Sequence, residues 1–189
     1  MLSGRASKGG SPPETLGAEF LGLDRFFDAA AVPAPLAPGD RAPLIALKDA
    51  SGNDCRGDQL AGQALVLFFY PKDDTPGCTM EACAFRDSHA DFQALGATVW
   101  GVSGDDAASH QRFAARHQLP FPLLVDQGNT LRRAFGVPSV LGLLPGRVTY
   151  VIDGAGVIRH VFNNLLDGAA HRREALEAVR RIVAEGHGG

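Results

Sequence analysis

Residues Ala64–Asp87 read ALVLFFYPKDDTPGCTMEACAFRD, and this stretch decides the fold. Ala64–Tyr70 is an unbroken apolar run, the pattern of a strand covered on both faces. Pro71–Gly77 follows as a loop rich in turn residues. From Cys78 the spacing changes: Ala82, Phe85, His89 and Phe92 recur at helical intervals, which predicts a helix over Cys78–Leu95.

Outward from this unit the alternation continues. Thr98–Ser103 reads as a second buried strand. Asp105–His117 reads as a helix, with Ser103 or Asp105 as N-cap and Pro120 beyond its end. Phe121–Val125 is a short strand and Thr130–Phe135 a short helix. Arg147–Ile152 and Val157–Phe162 are strands joined by Asp153-Gly154-Ala155-Gly156, a hairpin signal. Ala169–Ala184 is the last helix, with Leu176, Val179 and Val183 facing inward. This order predicts an α/β chain: a mixed sheet, mostly parallel, between helices and closed by an antiparallel hairpin. A thioredoxin-like three-layer fold fits it. Trp100 and Phe113 are core candidates.

Residues 1–37 differ. Met1–Glu14 is rich in Gly, Ser and Pro. Leu16–Ala31 carries Phe20, Leu23 and Phe27 at i, i+3 and i+7, a short amphipathic helix on an otherwise loose extension. Val32–Gly39 holds three prolines and reads as a linker. The domain expected to fold therefore runs over 38–189.

Composition narrows the function. The 189 residues carry 18 Lys+Arg against 21 Asp+Glu, a net charge of −3, so the chain has no electrostatic footprint for nucleic acid. Apolar residues make up 45%, enough for a core. No apolar run approaches the roughly 20 residues of a membrane span. Met1–Pro13 has no secretory signal pattern, and Glu14, Glu19, Asp24 and Asp28 are acidic where transit peptides avoid acids. Three cysteines do not make a disulfide scaffold. The expectation is a cytoplasmic protein in which a close pair of cysteines is redox-active or metal-binding rather than structural.

The chemistry gathers around Cys78. It falls in the first turn of the helix, where unpaired N–H groups and the helix dipole favour an anion, and the thiolate is the reactive form of cysteine. Pro71 and Pro76 stiffen the loop, and Thr75 offers a hydroxyl three residues before the sulfur. Cys83 follows five residues on. In a continuous helix that spacing separates the Cα atoms by roughly 8–9 Å, beyond the reach of a disulfide. A Cys78–Cys83 bond therefore requires the first turns to unwind. A thiolate with a second thiol nearby suits a peroxide-reducing site or a peroxide-sensing one.

The same residues resemble the peroxiredoxins, in particular the peroxiredoxin Q / bacterioferritin comigratory protein subgroup. Pro71, Thr75 and Cys78 meet the pattern Pro-x-x-x-Thr-x-x-Cys, and Cys83 meets the subgroup's second cysteine. The likeness continues through GVSGDDAASHQRFAARHQLPFPLLVD (Gly101–Asp126) and LPGRVTYVID (Leu144–Asp153), and covers about Pro38 to Glu185.

The resemblance implies roles. Cys78 matches the peroxidatic cysteine and Cys83 the resolving one. Thr75 matches the residue that hydrogen-bonds the sulfur and the peroxide. Pro71 matches the one that covers the thiolate. Arg147 matches the arginine that stabilises thiolate and peroxide oxygens, and Glu81 sits where a carboxyl orients that arginine. It implies a thioredoxin-dependent peroxidase acting on hydrogen peroxide and organic hydroperoxides, with no bound cofactor and no metal. A resolving cysteine in the same chain permits a monomer. The short Ser139–Pro145 linker looks like plastid and cyanobacterial members, so the plastid stroma is the expectation in a photosynthetic host.

Other residues receive blander readings. Cys55, in SGNDCRGD, reads as a non-catalytic residue in a polar turn. A zinc site from Cys55, Cys78, Cys83 and His89 has no paired ligand motif behind it. His110, His117, His160 and His171 read as surface or half-buried residues without chemistry. Arg86 reads equally as an ion-pair partner of Asp87, Glu81 or the helix end and as an active-site group. Gly101–Gly104 lacks the spacing of a phosphate loop. Two alternatives to the enzyme remain: a peroxide-sensing switch working through a binding partner, and a general dithiol oxidoreductase, which the missing Cys-x-x-Cys argues against.

Overall fold

A computed structural model describes residues 35–140 and 144–186. The chain divides into two units, Met1–Ala31 and Val32–Gly189. The first, with the helix expected over Leu16–Ala31, lies outside the described residues.

In chain order the elements are β1 (Ala46–Lys48), β2 (Asp54–Arg56), β3 (Ala64–Phe69), α1 (Pro76–Asp87), α2 (His89–Ala94), β4 (Ala97–Ser103), α3 (Ala107–His117), β5 (Leu123–Val125), α4 (Thr130–Ala134), β6 (Ser139–Val140), β7 (Leu144–Pro145), β8 (Val148–Ile152), β9 (Ile158–Asn163) and α5 (Gly168–Gly186). Five strands form the central sheet in the order β5-β4-β3-β8-β9. β3 and β5 both run parallel to β4. β8 runs antiparallel to β3, and β9 to β8.

The central strand β3 is buried at every position, so its alternate residues feed two cores. Val66, Phe68 and Tyr70 join Phe85, Phe92, Phe113, Leu176 and Val179 on the face covered by α1, α2, α3 and α5. Leu65, Leu67 and Phe69 join Trp100, Leu131, Phe135 and Tyr150 on the other face, with Ile45 and Cys55 from the β1–β2 side. On the first face the Phe68 ring stacks on Phe85 at 4.6 Å. α1 is the helix that carries Cys78 and Cys83, and this contact anchors its C-terminal half.

The structure corrects several sequence expectations. The helix expected over Cys78–Leu95 is two helices, broken at Ser88 (φ −109°, ψ 12°). The break brings the Phe92 ring to 5.9 Å from Phe85, so both enter one core. The N-cap of α3 is Asp106, whose carboxylate accepts from Ser109 N at 2.7 Å. Asp105 has another task, described below. Cys55 lies in strand β2, facing the core at 7% exposure, rather than in an exposed turn. His110 and His171 are wholly buried, because each finds a partner on both ring nitrogens. The Ser139–Pro145 linker carries a small hairpin of β6 with β7. The β1–β2 pair was not anticipated, since three-residue strands leave too short a pattern to read.

Candidate active site

The loop after β3 is tied down before α1 begins. Tyr70 OH donates to Asp73 Oδ1 at 2.7 Å, and His110 Nδ1 lies 2.9 Å from Asp73 Oδ2. Ser109 Oγ donates to that second oxygen at 2.8 Å. Asp105 Oδ2 accepts from Asp73 N at 2.9 Å. Burial raises the Asp73 carboxyl, but His110, Tyr70 and Ser109 together hold it below the ordinary range. Burial, with the charge of Asp73, pushes the Tyr70 hydroxyl well up. On the other side of the loop Arg132 is buried and donates to Tyr70 O at 2.7 Å and Gly146 O at 2.8 Å. That one guanidinium links the end of β3 to the residue before Arg147.

Thr75 is the N-cap position of α1 and Pro76 its first residue, where a missing N–H costs nothing. Cys78 therefore sits in the first turn, 1% exposed. Arg147, at the start of β8 and 3% exposed, reaches across to it. Its Nη2 donates to Cys78 Sγ at 3.4 Å, its Nη1 pairs with the Glu81 carboxylate, and its Nε donates to Leu165 O at 3.2 Å. Three separate partners fix the plane of the guanidinium. A Cβ on Gly77 would stand 3.0 Å from Arg147 Nη2, so a residue without a side chain permits this approach.

Glu81 is fully buried, one turn after Cys78. Burial pushes its carboxyl up to about 8, against the pull of Arg147. Its Oε1 has no hydrogen-bond partner, but His171 Nδ1 lies 3.4 Å away. His171 Nε2 sits 2.8 Å from the carbonyl of Asn164 and must donate to it. Nδ1 is then the acceptor, and Thr149 Oγ1 donates to it at 2.8 Å. Burial pushes His171 down to about 4. The two directions agree: burial favours the uncharged form of both Glu81 and His171.

The structure thus brings Cys78, Arg147 and Glu81 into contact. Thr75 lies beside them, with its hydroxyl donating to Lys72 O at 3.1 Å rather than to sulfur. Pro71 is half-buried at the head of the loop. Cys83 is on the same continuous helix as Cys78, half-buried, and all three cysteines are free thiols. Arg86 does not meet Glu81; it pairs with Asp87 and donates to His117 O at 2.9 Å. Cys55 and Cys78 belong to cores on opposite faces of the sheet, so no cluster joins them. Burial, and then Asp49 and Asp54, push the Cys55 thiol up, which leaves it inert. No group of three or more His, Cys, Asp or Glu suited to a metal occurs among the described residues. Sequence reasoning missed Asp73, His110, Arg132 and His171. His171 lies 90 positions from Glu81, and no local pattern marks such a pair.

Residues 38–161 match the AhpC/TSA family. The chloroplastic peroxiredoxin Q of Triticum aestivum is 48% identical over 145 residues, covering 76% of this chain and 67% of the relative. That of Suaeda salsa is 45% identical over 154 residues, covering 81% and 72%. Among solved structures, the peroxidoxin BcpB of Mycobacterium tuberculosis superposes with a TM-score of 0.72 at 36% identity, over 78% of this chain and 98% of that one. A peroxiredoxin Q from Xanthomonas campestris gives 0.68 at 32% identity, over 74% and 91%. The five-stranded sheet and its helices are the thioredoxin-like fold of these peroxiredoxins. The chain belongs to the AhpC/TSA family, among its peroxiredoxin Q members. It is a peroxidase, and its substrates are peroxides.

Proposed function

We propose that the chain is a two-cysteine thiol peroxidase in which Cys78 attacks the peroxide and Cys83 resolves the product. The observation that carries this reading is the buried Cys78 sulfur facing Arg147 Nη2 at 3.4 Å in the first turn of α1. The guanidinium and the free N–H groups of that turn stabilise the thiolate. As sulfur attacks the O–O bond, the same donors hold the charge that develops on the oxygens. Thr75 is placed to turn its hydroxyl toward the peroxide, and Pro71 to limit water. Water or an alcohol leaves, and Cys78 becomes a sulfenic acid.

Resolution requires α1 to open. Thr79 N donates to Thr75 O at 2.9 Å in its first turn, and a Cβ on Gly168 would come within 2.7 Å of Gly77 O, so the start of α5 packs directly on that turn. Unwinding gives up these contacts and the Arg147 bond, while the Phe85 anchor stays. Cys83 then reaches the sulfenic acid, and an intramolecular disulfide forms with loss of water. A dithiol reductant, thioredoxin, restores both thiols by exchange. No partner subunit is needed, which favours a monomer.

A bacterioferritin comigratory protein of Xanthomonas campestris, 32% identical with a TM-score of 0.68, is described by its alkyl peroxide reduction activity, which supports organic hydroperoxides here too. The chloroplastic relatives favour the plastid stroma over the cytosol. Residues 1–37 act as an extension of the peroxidase domain at 38–189.

The test is peroxide consumption coupled to NADPH through thioredoxin reductase and thioredoxin. Wild type turns over repeatedly, Cys78→Ser is inactive, and Cys83→Ser stops after one turnover. Sustained turnover by Cys78→Ser would sink the nucleophile assignment. A single oxidation of wild type, with no recycling by thioredoxin or by glutaredoxin and glutathione, would point to the sensor instead.

A further inference from the structure

Cys83 is not alone at its corner of the molecule. Three segments distant in sequence converge there: the active loop at Asp74, the middle of α1, and the last turn of α3. Cys83 Sγ lies 4.0 Å from Nδ1 of His117. The other ring nitrogen, Nε2, faces Asp74 Oδ1 at 3.7 Å. Asp74 is itself held: Arg116 Nη1 donates to the same oxygen at 2.9 Å, and the Asp74 backbone has φ 57°, in the left-handed region that aspartate tolerates. Arg86, one turn after Cys83, donates to the His117 carbonyl at 2.9 Å and feels the charge of the Cys83 sulfur. The ring of Phe113 packs edge-on against His117 at 5.0 Å and backs it from the core side.

The order of groups is thiol, imidazole, carboxylate. A carboxylate beside Nε2 favours the tautomer with the proton on that nitrogen, so the lone pair of Nδ1 faces sulfur. Arg86 supplies a cation for the thiolate that results. The charged and titratable groups around His117 are thus Asp74 from the loop, Arg86 from α1 and Arg116 from α3.

We propose that His117 is the general base that takes the Cys83 thiol proton for the disulfide-forming step. This rests on the reading that Cys83 resolves the Cys78 sulfenic acid. The proton passes from Cys83 Sγ to His117 Nδ1 while α1 is still folded, and the helix then opens with Cys83 as a thiolate. The Cys83 sulfur attacks Cys78 sulfur; the S–S bond forms as the Cys78 S–O bond breaks. Cys83 is oxidised and Cys78 reduced by one electron each relative to thiolate and sulfenic acid. The departing hydroxide takes the proton from the imidazolium, which gives water and the free base. Generating the thiolate before the helix opens matters because the thiolate, not the thiol, is the nucleophile.

Two experiments test this on the full chain. In a Cys55→Ser/Cys78→Ser background Cys83 is the sole thiol, and its alkylation by iodoacetamide needs no peroxide chemistry. Adding His117→Ala slows this reaction at least fivefold at pH 7, and free imidazole restores it. The second experiment follows the Cys78–Cys83 disulfide by rapid quench and mass spectrometry after one equivalent of hydrogen peroxide. His117→Ala slows its formation about tenfold at pH 7, with rescue by imidazole; Asp74→Asn slows it about threefold. Alkylation and disulfide rates indifferent to His117→Ala would overturn the proposal and leave Cys83 as the resolving residue. A disulfide to Cys78 that still forms in Cys83→Ser would overturn the resolving role, and the proposal with it.

Discussion

Replacing Glu81 with glutamine keeps the side chain's volume and removes its titrating proton. The amide copies the neutral acid: its oxygen accepts from Arg147, and its NH2 group takes the place of Oε1, 3.4 Å from His171 Nδ1. The unfolded carboxyl ionises near 4.5, the buried one near 8. Between these values the folded state holds a proton that the unfolded state has lost. The contribution of Glu81 is therefore complete below about pH 4.5 and is lost as pH rises through about 8. At 1.36 kcal/mol per pKa unit the loss is on the order of 5 kcal/mol. His171 works the other way over a lower window, since its folded value near 4 lies below the unfolded 6.5, and its stabilisation is lost as pH falls through 4. Wild type and Glu81→Gln share that contribution, so their difference isolates Glu81. The expected result of urea unfolding at pH 5 to 9 is near-equal stability at pH 5. The variant then gains steadily, toward about 5 kcal/mol above pH 8. In thermal melts this corresponds to roughly 10–20 °C for a chain of this size. Parallel curves across the whole range would refute the reasoning. They would mean that Glu81 is ionised throughout and that Arg147 divides its charge between two anions.

Two further predictions concern the same region. Arg147→Lys keeps the charge but cannot serve Cys78, Glu81 and Leu165 O together; the rate of Cys78 oxidation by peroxide, read in a single turnover, falls about 100-fold, and retention of a third of the rate would contradict the role. Gly168→Ala drives a methyl group against the backbone of Gly77 and Glu81, at 2.7 and 3.1 Å. It costs about 1–3 kcal/mol in urea unfolding, and an unchanged midpoint would show that the α1–α5 contact yields freely.

Much of the fold was legible because its signals are local. The run Ala64–Tyr70 has no alternation, so it had to be a strand covered on both faces, and β3 is the centre of the sheet. Thr75, Pro76 and Cys78 mark a helix start within four residues, and α1 begins there. The break at Ser88 was not legible, because helical spacing runs through it and only the packing of Phe92 on Phe85 decides it. Cys55 misled for a related reason: its neighbours are polar, but a three-residue strand buries the one side chain that faces the core.

The candidate site divides the same way. Sequence alone determined that Cys78 sits in the first turn of a helix, since a proline-stiffened loop, a helix start and a cysteine are adjacent in the chain and their physics is short-ranged. Only the tertiary structure decided the electrostatics. Arg147 comes 69 positions after Cys78, His171 comes 90 after Glu81, and His117 comes 34 after Cys83. What each group does depends on a distance of a few ångströms and on how much water the core excludes. Those quantities exist only once the sheet has brought α1, α3, β8 and α5 together.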